Sequence, residues 1–140
     1  MKPIRPILPL LALASCAGQP AAERPNIIVI LADDLGCGDL SALGCEVLQT
    51  PEIDRLCAEG LNLTNGYAAA PTSTPSRYAL LTGLYPWRNR DAEVLTGDAN
   101  SLIADGQSTL AGMLRQVGYA TGAVGKWHLG LGRGPIDWNR

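Results

Sequence analysis

The chain has 140 residues, of which 46% are hydrophobic and 17% are charged, and its formal net charge at pH 7 is -2. This length and composition allow a globular domain with a core of its own and exclude a disordered or fibrous chain. Because the net charge is slightly negative and no run of Lys and Arg is present, we expect no binding to nucleic acid.

The first residues are typical of an export signal. A short positive region precedes an apolar stretch over residues 6–14, which is too short to span a bilayer. The stretch ends at Leu13-Ala14-Ser15-Cys16, which resembles the bacterial lipobox, where the cysteine is acylated and the signal is cut just before it. We therefore predict a lipoprotein signal peptide over residues 1–15, a lipidated Cys16 with a short tether over residues 16–24, and export to the periplasm or cell surface of a bacterium. The alternative is an ordinary signal peptide with a chance cysteine.

The remainder of the chain predicts strands and helices in alternation. Residues 26–32 form a largely β-branched apolar run, which favours a strand buried on both faces of a parallel sheet. Three helices are predicted over residues 50–60, 75–81 and 109–117, from N-caps, early prolines and terminal glycines. A second buried strand is predicted over residues 119–126. This order indicates an α/β fold with a central, mostly parallel sheet flanked by helices.

Three more cysteines follow Cys16, at positions Cys37, Cys45 and Cys57, and the chain contains one histidine. Because the cysteines have no Cys-x-x-Cys spacing, a zinc site is not favoured. We expect these cysteines to be small buried hydrophobic side chains, or to form one disulfide with a leftover thiol.

Two polar clusters lie at the end of the first strand and the start of the second helix, where open α/β sheets bind their ligands. Asp33 and Asp34 offer adjacent carboxylates that suit calcium or magnesium, with a solvated turn as the alternative. Ser73 precedes a predicted helix N-terminus, which favours an anion, and Arg77 can bind the oxygens of that anion. The alternative for Ser73 is a simple helix cap.

A third cluster lies at the end of the second predicted strand. Lys126 and His128 lie on the same side of an extended segment, because side chains alternate with a period of two residues. The lysine can hold an anionic ester while the imidazole moves a proton. A surface lysine and a structural histidine are the alternative.

Together these motifs resemble the sulfatase family of the alkaline phosphatase superfamily. The family signature is Cys or Ser, any residue, Pro-Ser-Arg, three residues and Leu-Thr-Gly, and every fixed position is matched by Ser73-Thr74-Pro75-Ser76-Arg77-Tyr78-Ala79-Leu80-Leu81-Thr82-Gly83. Residues 25–36 resemble the opening strand and metal pair of the family, residues 50–56 its first helix, and residues 122–130 its second motif. Departures are Cys37, where the family usually has an aromatic residue, and Ser73, which replaces the commoner Cys.

The resemblance implies an alkaline-phosphatase-like sandwich and a role for each cluster. Ser73 would be oxidised to formylglycine, whose hydrate attacks sulfur, and His128 would be the base that regenerates the aldehyde. Lys126 matches the residue that binds the sulfate and the diol, and Arg77 the residue that fixes the diol and offsets charge at the metal. Such a serine implies a radical-SAM sulfatase-maturating enzyme as a partner, since the oxygen-dependent maturase requires Cys.

The resemblance also implies one calcium ion. Asp33 and Asp34 match two of its ligands, and the hydrated Ser73 derivative would contact the same ion. The remaining ligands and the general acid lie farther along in the family, in a chain several times this length. We therefore expect residues 25–140 to be the N-terminal part of an incomplete catalytic domain, without turnover of its own.

The implied reaction is removal of sulfate from a sulfated glycan or an aryl sulfate by a protein bound to the membrane through its lipid anchor only. One alternative is a phosphodiester or phosphonate monoester hydrolase of the same superfamily. The other is a glycan-binding lipoprotein without catalytic activity.

Overall fold

The structure is a computed structural model that describes residues 24–131. The predicted signal peptide and the acylation site at Cys16 lie outside the described residues. The chain divides into two units, Met1–Ala32 and Asp33–Arg140. Among the described residues, no helix is long and apolar enough to cross a membrane.

The described part of the first unit, residues 24–32, has no regular secondary structure. Its apolar side chains are exposed, by 83% at Ile28 and Ile30 and by 51%, 55% and 47% at Ile27, Val29 and Leu31. The alternation has the period of two residues expected of an extended segment.

The two predicted strands are not formed in the described part of the chain, which contains helices but no β-ladder. Residues 26–32 and residues 119–126 carry the residue types of buried strands. A strand, however, also needs a hydrogen-bonded neighbour, and the sequence pattern of one segment does not supply that neighbour. The central sheet of the predicted α/β fold is therefore not seen within residues 24–131.

The first predicted helix is confirmed as α1, Pro51–Glu59, with Thr50 as its N-cap residue and Gly60 after its end. One carboxylate ties α1 to the short 3₁₀ helix Ser41–Leu43. Asp54 Oδ2 accepts a hydrogen bond from Ser41 Oγ at 2.6 Å, and its Oδ1 accepts from Thr50 Oγ1 at 2.8 Å and Ala42 N at 2.9 Å. These bonds lower the pKa of Asp54, with the Ser41 hydroxyl as the largest cause.

The other two predicted helices are also confirmed. Helix α2, Ser73–Thr82, starts two residues before the predicted Pro75 and ends at Gly83, whose φ of 70° is in the left-handed region that glycine adopts freely. Helix α3, Leu110–Gln116, begins after Thr109, whose side chain accepts a hydrogen bond from the Gly112 amide at 3.0 Å. Helix α2 packs against α3 and against the 3₁₀ helix Pro86–Arg88.

The core of the second unit fixes the segment that carries Lys126 and His128. The buried apolar side chains are Tyr78, Ala92, Leu102 and Leu129. The Leu102 amide donates to the Leu129 carbonyl at 2.9 Å, which ties residues 126–131 to the loop before α3. Next to this bond, Gly130 has a φ of 72°, and a Cβ added there would lie 1.9 Å from the Asn100 carbonyl oxygen. Only glycine allows this close approach.

The cysteines at Cys37, Cys45 and Cys57 are free thiols, and the expected disulfide is not formed among them. The expectation of small buried side chains is also not met, because Cys37 is exposed and Cys45 and Cys57 are only half-buried. The thiol of Cys45 accepts a hydrogen bond from the Leu48 amide at 3.3 Å, so it has a local structural contact.

Candidate active site

The centre of the site is the carboxylate of Asp33, where the second unit begins. Asp33 Oδ1 accepts hydrogen bonds from Ser73 Oγ and Arg77 Nη2, each at 3.1 Å. Asp33 Oδ2 accepts from Lys126 Nζ at 2.7 Å. We call these four residues, Asp33, Ser73, Arg77 and Lys126, the Asp33 cluster. Helix α2 brings Ser73 and Arg77 to the same carboxylate, because residues four positions apart lie on one helix face.

Arg77 connects the members of the Asp33 cluster. Its side chain is 10% exposed, and each part of the guanidinium has a partner. Nη1 donates to the Lys126 carbonyl at 2.8 Å, Nη2 to Asp33, and Nε to Ser73 Oγ at 3.4 Å. A buried guanidinium needs such a full set of acceptors, and it fixes both the carboxylate and the backbone of residue 126.

The cluster keeps Asp33 ionised. The pKa of Asp33 is lowered from 3.8 to about 2, and the largest cause is the hydrogen bond from Lys126. Desolvation opposes this shift, and the hydrogen bonds from Arg77 and Ser73 and the charge of Lys126 add to the lowering. At neutral pH the cluster therefore contains one carboxylate and two cations, which leaves it with an excess of positive charge.

Two backbone outliers coincide with predicted site residues. Among the non-glycine residues of the described chain, Asp34 and His128 have a positive φ, and in both it is 56°. This left-handed conformation is uncommon for such residues, and outliers of this kind cluster at functional sites. Asp34 is exposed, next to the Asp33 cluster in sequence.

His128 lies beside the cluster in a wall of a cavity of about 300 Å³, which is lined by Thr96, Gly97, Lys126, His128, Gly130 and Leu131. The imidazole is held at Nε2, which lies 2.9 Å from the Leu95 carbonyl oxygen. Its other nitrogen, Nδ1, is buried and has no hydrogen-bond partner among the described residues. Lys126 and His128 thus both line this cavity, although the positive φ of His128 departs from the predicted extended segment.

The family model for sulfatases matches residues 25–133. This chain belongs to the sulfatase family. It is 49% identical over 142 residues to N-acetylgalactosamine-6-O-sulfatase of Bacteroides thetaiotaomicron, a match that covers 96% of this chain and 28% of the relative. It is 44% identical over 136 residues to the steryl-sulfatase of Mus musculus, which covers 92% of this chain and 22% of that protein.

A solved structure also resembles this sulfatase chain. Its description concerns the metabolism of multiple glycosaminoglycans by Bacteroides thetaiotaomicron, and it matches with a TM-score of 0.72 and 57% sequence identity. The match covers 78% of this chain and 23% of the solved one. The sulfatase chain therefore spans about a quarter of the length of the relatives it matches.

The candidate metal ligands of this sulfatase chain are oxygen atoms, the type of ligand that calcium binds. Asp33 and Asp34 offer carboxylate oxygens, which are the ligands that calcium prefers, and Ser73 offers a third oxygen. Calcium takes about six to eight oxygen ligands. Within residues 24–131 no group of three or more His, Cys, Asp or Glu side chains could hold a metal ion. The described residues would thus supply only part of such a ligand set, and Lys126 Nζ donates to one oxygen of Asp33.

Sequence reasoning missed two residues that hold the site together, Thr74 and Leu95. Thr74 occupies the variable position of the signature, and its side chain is fully buried. Its hydroxyl donates to the His128 carbonyl at 2.8 Å and accepts from the Leu95 amide at 3.3 Å. A threonine next to Ser73 gives no local signal for contacts to residues this far along the chain.

Proposed function

We propose that the chain is part of an enzyme that hydrolyses sulfate esters with a nucleophile derived from Ser73. The observation that carries this proposal is the position of Ser73 Oγ at the start of α2, 3.1 Å from Asp33 Oδ1 and 3.4 Å from Arg77 Nε. Membership of the sulfatase family supports the same reaction.

The two cations of the Asp33 cluster suit a sulfate monoester. Such an ester is an anion, and Arg77 and Lys126 bring a guanidinium and an ammonium group to one carboxylate. Cations that are already positioned stabilise charge that develops on the sulfate oxygens without reorganising during the reaction. The side chain of Lys126 is 42% exposed, so its ammonium is accessible to a substrate from solvent.

Ser73 would act after oxidation to formylglycine. An unmodified serine that attacked sulfur would keep a stable sulfate ester. Removal of two hydrogen atoms from Ser73 by a radical-SAM maturating enzyme gives an aldehyde, and its hydrate carries two hydroxyl groups. One hydroxyl loses its proton and its oxygen bonds to sulfur, while the bond from sulfur to the alcohol oxygen breaks and the alcohol leaves with a proton from an acid outside the described residues. The other hydroxyl loses its proton to His128, the bond from carbon to the sulfate oxygen breaks, and the aldehyde returns.

Asp33 and Asp34 would hold the calcium ion, together with the Ser73 derivative. Bound calcium would supply positive charge beside the sulfate ester. Asp33 is ionised at neutral pH, as a calcium ligand must be, and the cluster lowers its pKa further, from 3.8 to about 2. The remaining ligands and the acid for the leaving alcohol would come from outside the described residues.

We propose a sulfated glycan as the substrate class. The support is the N-acetylgalactosamine-6-O-sulfatase relative at 49% identity, which makes 6-O-sulfated amino sugars the first substrates to test. Aryl sulfates remain the generic alternative, because arylsulfatase D of Homo sapiens is 47% identical over 128 residues.

The proposal is tested with the protein at its natural length, co-expressed with a radical-SAM maturating enzyme. Peptide mass spectrometry across Ser73 should show the loss of two hydrogen atoms, and the protein should release sulfate. Ser73→Ala should abolish release, whereas Ser101→Ala, which removes an exposed hydroxyl outside the Asp33 cluster, should retain it. An unmodified Ser73 in an active protein would refute the formylglycine mechanism. Faster cleavage of aryl phosphodiesters or phosphonate monoesters would favour the superfamily alternative, and glycan binding without any turnover the non-catalytic one.

We also propose that the protein is exported and anchored through acylated Cys16. The support is the lipobox-like sequence that ends at Cys16. In a bacterial host, wild-type protein should incorporate a clickable fatty acid and fractionate with membranes, and Cys16→Ala should do neither. Labelling of the Cys16→Ala protein would overturn the anchor at this position. Cys37→Ala is the matched control, because it removes an exposed thiol and should leave labelling unchanged.

A further inference from the structure

Three hydrogen bonds connect Thr74, Leu95 and His128 in a closed ring. The Thr74 hydroxyl donates to the His128 carbonyl at 2.8 Å, and the Leu95 amide donates to that hydroxyl at 3.3 Å. The Leu95 carbonyl lies 2.9 Å from His128 Nε2, which closes the ring. We call this set the Thr74 ring. It joins the first turn of α2 to two loops that lie 21 and 54 residues away along the chain.

The Thr74 ring determines which nitrogen of the imidazole carries the proton. A carbonyl oxygen can only accept a hydrogen bond, so the bond between His128 and Leu95 requires a proton on Nε2. In the neutral imidazole the other nitrogen, Nδ1, then has the free lone pair. Nδ1 is buried and has no partner among the described residues, so its capacity to accept a proton is unused.

We propose that Thr74 is a positioning residue that, through Leu95, holds His128 in the Nε2–H tautomer and so makes Nδ1 the proton acceptor. This inference rests on the proposed function for the role of the proton acceptor, but the tautomer itself does not depend on that function. Thr74 follows Ser73 directly in the chain, so the same helical turn carries the nucleophile and the hydroxyl that orients its base.

The geometry distinguishes positioning from mere support of the fold. The Thr74 side chain is fully buried, so water cannot replace its hydroxyl when that hydroxyl is removed. The backbone of His128 has a φ of 56°, a conformation that the chain does not adopt without constraint. The hydroxyl holds the carbonyl of that strained residue, and the Leu95 loop holds its ring.

The test uses protein at its natural length in which histidine is labelled with ¹⁵N, and the His128→Gln spectrum identifies the signals of His128. Long-range ¹H–¹⁵N spectra should show the Nε2–H tautomer in the wild type and in Thr74→Ser, which keeps the hydroxyl. Thr74→Val keeps the volume and removes the hydroxyl, and it should show a mixture of tautomers or exchange between them. Thr74→Ala is a second hydroxyl-free variant, and thermal unfolding checks that each variant folds.

The kinetic readout follows from the same variants. We expect Thr74→Val to lower kcat by about tenfold or more with little change in KM, because a misplaced base loses part of the effect of general base catalysis. Thr74→Ser keeps the hydroxyl and should therefore have most of the wild-type kcat. Thr82→Val is the matched control, since its hydroxyl bonds only within and just after α2, and its His128 spectrum should match the wild type.

Two results would overturn the proposal. One is an Nδ1–H tautomer for His128 in the wild type. The other is a folded Thr74→Val or Thr74→Ala protein whose tautomer and kcat both equal those of the wild type. Failure of the proposed function alone would leave the tautomer result intact, because the spectra are recorded without substrate and the state of Ser73 is read separately by mass spectrometry.

Discussion

Replacement of Gly130 by alanine should displace the segment that carries Lys126 and His128. The added Cβ would lie 1.9 Å from the Asn100 carbonyl oxygen and 2.6 Å from its carbon, and these are backbone atoms that no rotamer change can move. The left-handed φ of 72° adds a steric cost of about 1–2 kcal/mol for a residue with a Cβ. Overpacking adds about 1–3 kcal/mol more. We therefore expect Gly130→Ala to lower the free energy of unfolding by about 2–5 kcal/mol.

The control for this prediction is Gly106→Ala. Gly106 has nearly the same φ, 76°, but an added Cβ would meet nothing within 4 Å. It should therefore show the conformational cost alone, and the difference between the two variants measures the clash with Asn100. The assay is denaturant unfolding of the protein at its natural length, with sulfate release measured in parallel. Equal losses of stability in the two variants would show that Gly130 is not required for close packing.

Three further predictions concern charged groups. Arg77→Lys should lower kcat by about a hundredfold in an aryl sulfate assay, because the single nitrogen of a lysine cannot reach the three separate acceptors that Nε, Nη1 and Nη2 of Arg77 bind; an activity near wild type would contradict this. Because folding lowers the pKa of Asp54, its ionised form stabilises the fold above its ordinary pKa of 3.8, and this contribution is lost as the pH falls below that value. The stability difference between wild type and Asp54→Asn should thus shrink from neutral to acidic pH in urea unfolding, and a constant difference would refute it. Lys126→Gln should bind calcium severalfold more tightly in isothermal titration calorimetry, because it removes a cation that competes for Asp33 Oδ2, whereas weaker binding would show that Lys126 does not compete.

The helices could be predicted from sequence because their signals are local. Thr50 and Pro51 mark the start of α1, and Gly83 marks the end of α2, each within a few residues of the feature it determines. The strands could not be predicted in the same way. Residues 26–32 have the composition of a buried strand, but a strand forms only with a partner, and the partner is not part of the local pattern.

The candidate site likewise has features with a local sequence signal and features that depend on distant parts of the chain. Asp33, Ser73, Arg77 and Lys126 could be named because they belong to motifs, yet the contacts of the other three with Asp33 span 40 to 93 residues of sequence. The convergence on the Asp33 carboxylate follows from the fold, and no spacing in the sequence indicates it. Thr74 could not be predicted for a different reason. Threonine is a common residue type, and only its burial in the fold gives its hydroxyl a structural role.

The phase of α2 explains why one short segment can organise both halves of the site. Successive residues of a helix are rotated by about 100°, so residues 73 and 77 share a face while residue 74 lies on another. Ser73 and Arg77 face the Asp33 carboxylate, and Thr74 points to the His128 backbone. A helix shifted by one residue would turn Ser73 away from this face and separate its hydroxyl from the Asp33 carboxylate. Correct placement of Ser73 therefore depends on the start of α2, and the buried side chains of Thr74, Pro75 and Arg77 in its first two turns fix that start against the core.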